Sequence, residues 1–468
     1  MSRHRCRLAL RRTTALVAAV GLAAATPAAA QRATLDRATR QQVLDNGMQV
    51  IVVENHAVPI ATVMVTVRGG AMTQGEDDQG IPHLFEHMLF KGYRGAHDQT
   101  FGQEASRLLA GYNGETSDET VSYYLTLPSD RVTESVGLLA DLIREPRFVD
   151  ADLKTERFVV LGEFQRNLSV PRFNLSRELD KMLWGASFAR KNTIGEQSAV
   201  LGVTTRRLEE IFRQYYVPNN AALVVTGDVA AAKVFEAARD QFGGWRRQAD
   251  PFVKNPVPTM ARLEVTRSAV VTADVKEVTV MMRWQGPSVR ANSDATYAAD
   301  VLADLVNDND SPFQKRLVDG GAFQSASLSY QTLSHVGPIT FVGVTTWERL
   351  SGALTVLSGE FELMRDSAYF EATALEVAKK RRVVNTALEQ EEGASLANSL
   401  GHWWSVAGLD YYLGYVDHLS SRSASDLRRF VNAYIAEKPY VLGVLVRPEQ
   451  GPQAQLLLNE FNKMMESK

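Results

Sequence analysis

The sequence predicts an α+β protein of two homologous domains, each a mixed β-sheet packed by helices. Three observations point there. Runs of β-branched residues of strand length alternate with stretches of helical period. A segment rich in Pro and Gly, residues 243–260, interrupts the periodicity near mid-chain. A helix-then-strand unit also recurs at an offset of 219 residues: Leu208, Ile211 and Tyr215 before strand 221–225 return as Leu427, Phe430 and Tyr434 before strand 440–444. The 468 residues, 45% hydrophobic and 22% charged, suit two or more globular domains. With 51 basic and 54 acidic residues, the net charge of −3 excludes the broad basic footprint of a nucleic-acid-binding protein.

Taken in order, the chain begins with five arginines (Arg3, Arg5, Arg7, Arg11, Arg12) and no acid. An apolar run over 15–25, Pro27 and three alanines at 28–30 follow. That is the order of an export signal, and the run is shorter than the ~20 residues a bilayer span needs. Cleavage after Ala30 is expected, with the periplasm as destination and no membrane span in the mature form; Arg11 and Arg12 hint at twin-arginine export. Removing the five arginines leaves 46 basic against 54 acidic residues. It also removes Cys6, the only cysteine, so disulfides and thiolate chemistry are excluded from the mature chain. The expected organisation is a signal at 1–30, an N-terminal domain at 31–243, a linker at 244–260 and a C-terminal domain at 261–468.

Residues 49–53 and 60–67 read as paired strands. A helix follows over 80–92, with Pro82 in its first turn and Gly92 past its end. Another helix near 100–110 leads to a strand over 121–127 that puts Val121, Tyr123 and Leu125 on one face. Helices over 133–144, 150–168 and 204–216 precede a strand at 221–226. The second half repeats the order: a strand at 278–284, a helix at 295–306, a Gly-rich turn at 320–323 and a strand at 339–345.

The first of these helices carries His83, Leu84, Phe85, Glu86 and His87. Histidines four apart share a helix face and can offer two imidazoles to one metal ion, with Glu86 at its edge. This His-x-x-Glu-His order inverts the common zinc motif. A third protein ligand is needed, and helix 150–168 offers Glu156 and Glu163, seven apart on one face with Leu153 and Val160. Two carboxylates on a partly apolar face are costly unless a positive group lies opposite.

These residues, with Glu163 standing 76 positions after His87 and Glu156 seven before it, resemble the signature of the pitrilysin, insulysin and mitochondrial processing peptidase family. The segment from Asn113 through Ser117 to Tyr123 and Tyr124 is similar to that family's active-site edge strand, with Gly114 in place of the usual alanine. The resemblance spans nearly the whole mature chain. It implies that His83, His87 and Glu163 bind Zn2+, that Glu86 is the general base, and that Glu156 orients the ligands from behind. It implies further that Asn113 and Gly114 hold an extended peptide by strand addition.

In the family's second half an arginine, and a tyrosine seven residues later, reach the scissile carbonyl. Here the matching positions are Arg316 and Phe323, and phenylalanine cannot donate a hydrogen bond. The resemblance therefore implies a zinc endopeptidase acting on peptides or unfolded segments. Its substrate chamber is expected to be completed by a partner chain of the same family that lacks the metal motif but supplies the Arg/Tyr pair, with a homodimer as the alternative. The alternative is a non-catalytic core subunit of a related complex. The remaining histidines of the mature chain (His56, His97, His335, His402, His418) read as structural or exposed, and Trp403, Trp404, Tyr411 and Tyr412 as core or interface.

Overall fold

The computed structural model describes Leu35, residues 38–93 and residues 100–466. The export signal and His97 lie outside them.

The first sheet holds β1 (Thr39–Val43), β2 (Gln49–Glu54), β3 (Ile60–Arg68), β4 (Gly111–Thr116), β5 (Thr120–Pro128) and β6 (Ala221–Gly227), in the order β1-β2-β6-β3-β5-β4. The second holds β7 (Arg267–Thr272), β8 (Val278–Gln285), β9 (Ser325–Tyr330), β10 (Pro338–Thr345) and β11 (Val441–Val446), in the order β7-β11-β8-β10-β9. The two sheets share one plan. β2 runs parallel to β6 as β7 does to β11, and the remaining shared pairs are antiparallel in both. The internal duplication is thus written in strand order, with β1 an addition to the first copy.

The expected pairing of strands 49–53 and 60–67 is not observed, because β6 lies between them. The reason is burial. Every residue of β6 is buried, and a continuous apolar strand is stable only with neighbours on both edges and cover on both faces, so it takes the centre that β2 and β3 flank.

The helices that matter here are α1 (Ile81–Leu89), α2 (Val132–Arg144), α3 (Asp150–Leu168), α4 (Pro171–Trp184), α5 (Thr205–Tyr215), α6 (Ala231–Phe242), α7 (Ser293–Val306), α8 (Leu350–Leu363), α9 (Ala372–Glu391), α10 (Gly393–Val406), α11 (Ala424–Tyr434) and α12 (Gly451–Glu466). Periodicity did not anticipate β1, α4 or α6. Helices α5 and α11 start and end 219 residues apart, carrying the recurrent unit.

One face of the first sheet closes over a core that includes Val63, Val65, Leu84, Phe85, Leu139 and Phe242. Its other face is covered by a helix from the second half. Leu396, Ala397, Leu400 and Trp404 of α10 pack on Ile51, Met64, Ala222 and Val224. Reciprocally, Leu175, Leu179, Leu183 and Trp184, from the α4 segment, pack on Ala269, Met281, Val441 and Leu445 of the second sheet. A Cβ on Gly401 would stand 2.9 Å from Met64 Sδ, so the glycine allows α10 to lie close on β3. The segment 244–260 joins the halves covalently and contains the short helix Pro251–Lys254, but the cores are closed by exchange.

Candidate metal centre

Gly80 caps the start of helix α1 with a φ of +84° that favours glycine, and a Cβ there would meet Gly195 Cα at 2.8 Å. Pro82 occupies the first turn. Ile81, Leu84, Phe85, Met88 and Leu89 sink into the first core, which turns His83 and His87 toward α3. Their rings stand edge to face at 4.9 Å.

Helix α3 presents Leu153, Glu156 and Val160 as a buried stripe, and Glu163 continues it toward solvent with 29% of its side chain exposed. Glu163 Oε2 lies 3.5 Å from His83 Nε2 and 3.7 Å from His87 Nε2. Ligand atoms from these three residues all fall within 4.8 Å of one another. Those separations are too long for good hydrogen bonds. They approach the ~3.4 Å edge of a tetrahedron drawn around a cation with bonds of ~2.1 Å. Burial, then the neighbouring His87, pushes the His83 pKa down to about 4, so this imidazole is neutral and free to ligate at neutral pH. Two imidazoles and a carboxylate at this spacing fit a zinc-sized ion with one position open.

Glu156 stands behind His87: its Oε2 is 3.1 Å from His87 Nδ1, and its Oε1 is 2.5 Å from Lys91 Nζ. A carboxylate can only accept, so the proton sits on Nδ1 and Nε2 is left to face Glu163. Lys91 was not singled out from the sequence, although its spacing of four from His87 was the available signal.

Glu86 is buried one residue before His87, and Thr116 Oγ1 donates to its Oε2 at 2.7 Å. Burial raises the Glu86 carboxyl above its ordinary range, while the Thr116 hydrogen bond pulls it down. Gly114 faces the same carboxylate: a Cβ there would stand 2.8 Å from Glu86 Cγ and 2.9 Å from both Glu86 Oε1 and Phe90 Cε2. Gly114 and Asn113 lie on β4, the edge strand of the sheet, and Asn113 Oδ1 accepts from the Gly114 N–H at 3.0 Å.

Arg316, expected to bind substrate, and Phe323, which stands where the family has its tyrosine, are both engaged within the second half. The Arg316 guanidinium forks onto Glu360, with Nε at 2.5 Å, and lies over the Tyr369 ring at 5.1 Å. The Phe323 ring is buried against Phe341 and fills the space over Gly343, where a Cβ would come within 2.5 Å of it. Position 323 is core in this chain, so a tyrosine here would bury its hydroxyl among apolar neighbours rather than present it to a substrate.

Among the described residues, the second half brings together no comparable group of metal-ligating side chains. Arg382 forms a two-pronged ion pair with Asp304 at 2.6 Å. Among the remaining histidines, His56 pairs with Asp228, His335 with Glu119, and His418 stacks on Tyr297; His402 contacts Trp403, which stacks on Tyr411.

Known proteins share this chain's family and fold. Residues 49–192 match the family described as insulinase (peptidase family M16), and residues 202–382 match the one described as peptidase M16 inactive domain. Bovine cytochrome b-c1 complex subunit 1 is 26% identical over 232 residues, 50% of this chain and 48% of that one, so the match spans about half of that relative's length. An uncharacterized zinc protease of Rickettsia felis is 20% identical over 367 residues, 78% of this chain and 87% of its own. The crystal structure of a protease from Helicobacter pylori shares the fold, with a TM-score of 0.77 at 21% identity over 87% of this chain and 99% of that one.

Proposed function

The chain belongs to the insulinase family of peptidases, M16, and from that premise we propose that it is a zinc-dependent endopeptidase hydrolysing peptides or unfolded segments. The observation that carries the reading is the convergence of His83, His87 and Glu163 beside a buried Glu86. The three residues would hold the ion, which when bound acidifies water toward neutral pH and polarises a carbonyl. Glu86, held by Thr116, takes the proton of the attacking water and returns it to the leaving nitrogen, a role its raised pKa suits. Glu156 sets the His87 tautomer. The free edge of β4 at Asn113 and Gly114 accepts an extended segment through backbone hydrogen bonds, so binding tolerates varied sequence.

The test is elemental analysis with a peptide assay on the mature chain. About one zinc per chain is expected, lost in His87→Ala and Glu163→Gln. Glu86→Gln is expected to keep zinc while losing most turnover. Full zinc in both ligand variants would sink the assignment. A non-catalytic core-subunit role is the second reading, favoured by the cytochrome b-c1 relative; it would leave the wild-type chain without stoichiometric zinc.

The reading extends to a periplasmic protein acting as the catalytic subunit of a two-chain assembly. The commitment of Arg316 to Glu360 and the burial of Phe323 support a carbonyl-facing Arg/Tyr pair supplied by a partner chain that lacks the metal motif. Assay of the chain alone and with its co-purifying partner tests this, and full activity alone would refute it. An N-terminus at or near Gln31 in the exported protein tests the export route.

A further inference from the structure

Helices α1 and α3 meet through a ladder of interleaved basic and acidic side chains. His83, His87 and Lys91 succeed one another at steps of four along α1 and just past its end. Glu163 and Glu156, two turns apart on α3, interleave between them, so that Glu163 lies against His83 and His87 while Glu156 lies against His87 and Lys91. Glu156 is 5% exposed, too buried to be left as an uncompensated carboxylate. One of its oxygens meets His87 Nδ1, and the other meets Lys91 Nζ at 2.5 Å. Lys91 is 38% exposed, yet its partner is not, so solvent screens this pair less than a surface ion pair. Its position just beyond the α1 C-terminus also favours a cation.

We propose that Lys91 is a positioning residue of the metal centre: it anchors the Glu156 carboxylate so that the other oxygen holds the proton on His87 Nδ1 and points His87 Nε2 at the ion. This rests on the reading of His83, His87 and Glu163 as zinc ligands. Without Lys91, Glu156 can rotate away, and His87 loses the partner that selects its ligating tautomer. A positively charged replacement of similar reach restores the anchor.

The experiment is zinc affinity of the full mature chain, measured by competition with a chromophoric chelator, with the thermal midpoint of the zinc-free protein followed in parallel. Lys91→Met and Lys91→Gln are expected to weaken zinc binding about 10- to 100-fold, and Lys91→Arg to stay within about threefold of wild type. In a Glu156→Gln background, Lys91→Met should add no further loss, because Lys91 acts only through that carboxylate. Two Lys91 variants that fold like wild type and bind zinc as tightly would overturn the proposal. So would a Lys91→Met loss that is fully additive with Glu156→Gln. Failure of the wild-type chain itself to bind zinc is a different outcome, which removes the ligand reading and this inference with it.

Discussion

Glu119 and His335 are 216 residues apart in sequence, yet Glu119 Oε1 accepts the backbone N–H of His335 at 3.0 Å while Oε2 accepts that of Ser334 at 2.6 Å. Glu119 lies in the turn between β4 and β5, so this contact ties the edge strand beside the metal centre to the second half. Lys191 reinforces the junction by donating to Asp118 and to the Val336 carbonyl.

Burial alone would raise the Glu119 carboxyl, but hydrogen bonds from His335 and Ser334 and the charge of Lys191 outweigh it and lower the pKa to about 2. A carboxyl depressed in the folded state contributes stability above its unfolded value of ~4.3, and that contribution is lost as pH falls toward 2. Glu119→Ala should therefore cost ~3 kcal/mol at neutral pH, where it leaves buried N–H donors without an acceptor. The difference from wild type should shrink as pH falls from about 5 toward 2. Denaturant unfolding at several pH values measures both.

The exchange of α4 and α10 predicts that neither half stands alone. A fragment of residues 31–243 would expose Ile51, Met64 and Val224, which α10 covers, and would carry an undocked α4. Each half expressed separately should aggregate or lack a cooperative melt, while co-expressed halves should co-elute in gel filtration and melt together. A cooperative melt of the isolated first half would contradict the exchange as a folding requirement.

Gly114→Ala should push Glu86 out of place, since the new methyl would meet Glu86 and Phe90 at under 3 Å. The atoms in the way belong to side chains that can shift, so folding should survive. A displaced base should lower kcat by about tenfold with zinc content unchanged. Steady-state kinetics with metal analysis decides, and an unchanged kcat would show that the site absorbs the methyl.

Thr116→Val removes the hydrogen bond that most opposes burial in setting the Glu86 pKa. The Glu86 carboxyl should then titrate at higher pH. A base works only when deprotonated, so the acidic limb of kcat/KM should move upward in pH. Thr116→Ser keeps the hydroxyl and should keep the limb near its wild-type position.

The sequence by itself determined what depends on near neighbours along the chain. Spacing of four on a helical stretch put His83 and His87 on one face, spacing of seven aligned Glu156 with Glu163, and the apolar residues between the histidines showed which side of α1 would be buried. The duplication was legible for the same reason, as a helix and its following strand repeated at a constant offset. Only the tertiary structure decided which partner each of these groups meets. It put Glu163 in front of the imidazoles and Glu156 behind one of them, brought Lys91 to the free oxygen, set β6 between β2 and β3, and sent Arg316 to Glu360 and Phe323 into the core. Helical and strand periods are local geometry that a sequence carries openly. Strand order, helix exchange and the pairing of buried charges are instead choices among distant segments, made by burying the most apolar strand between two others and by setting a buried charge such as Glu156 against an opposite one.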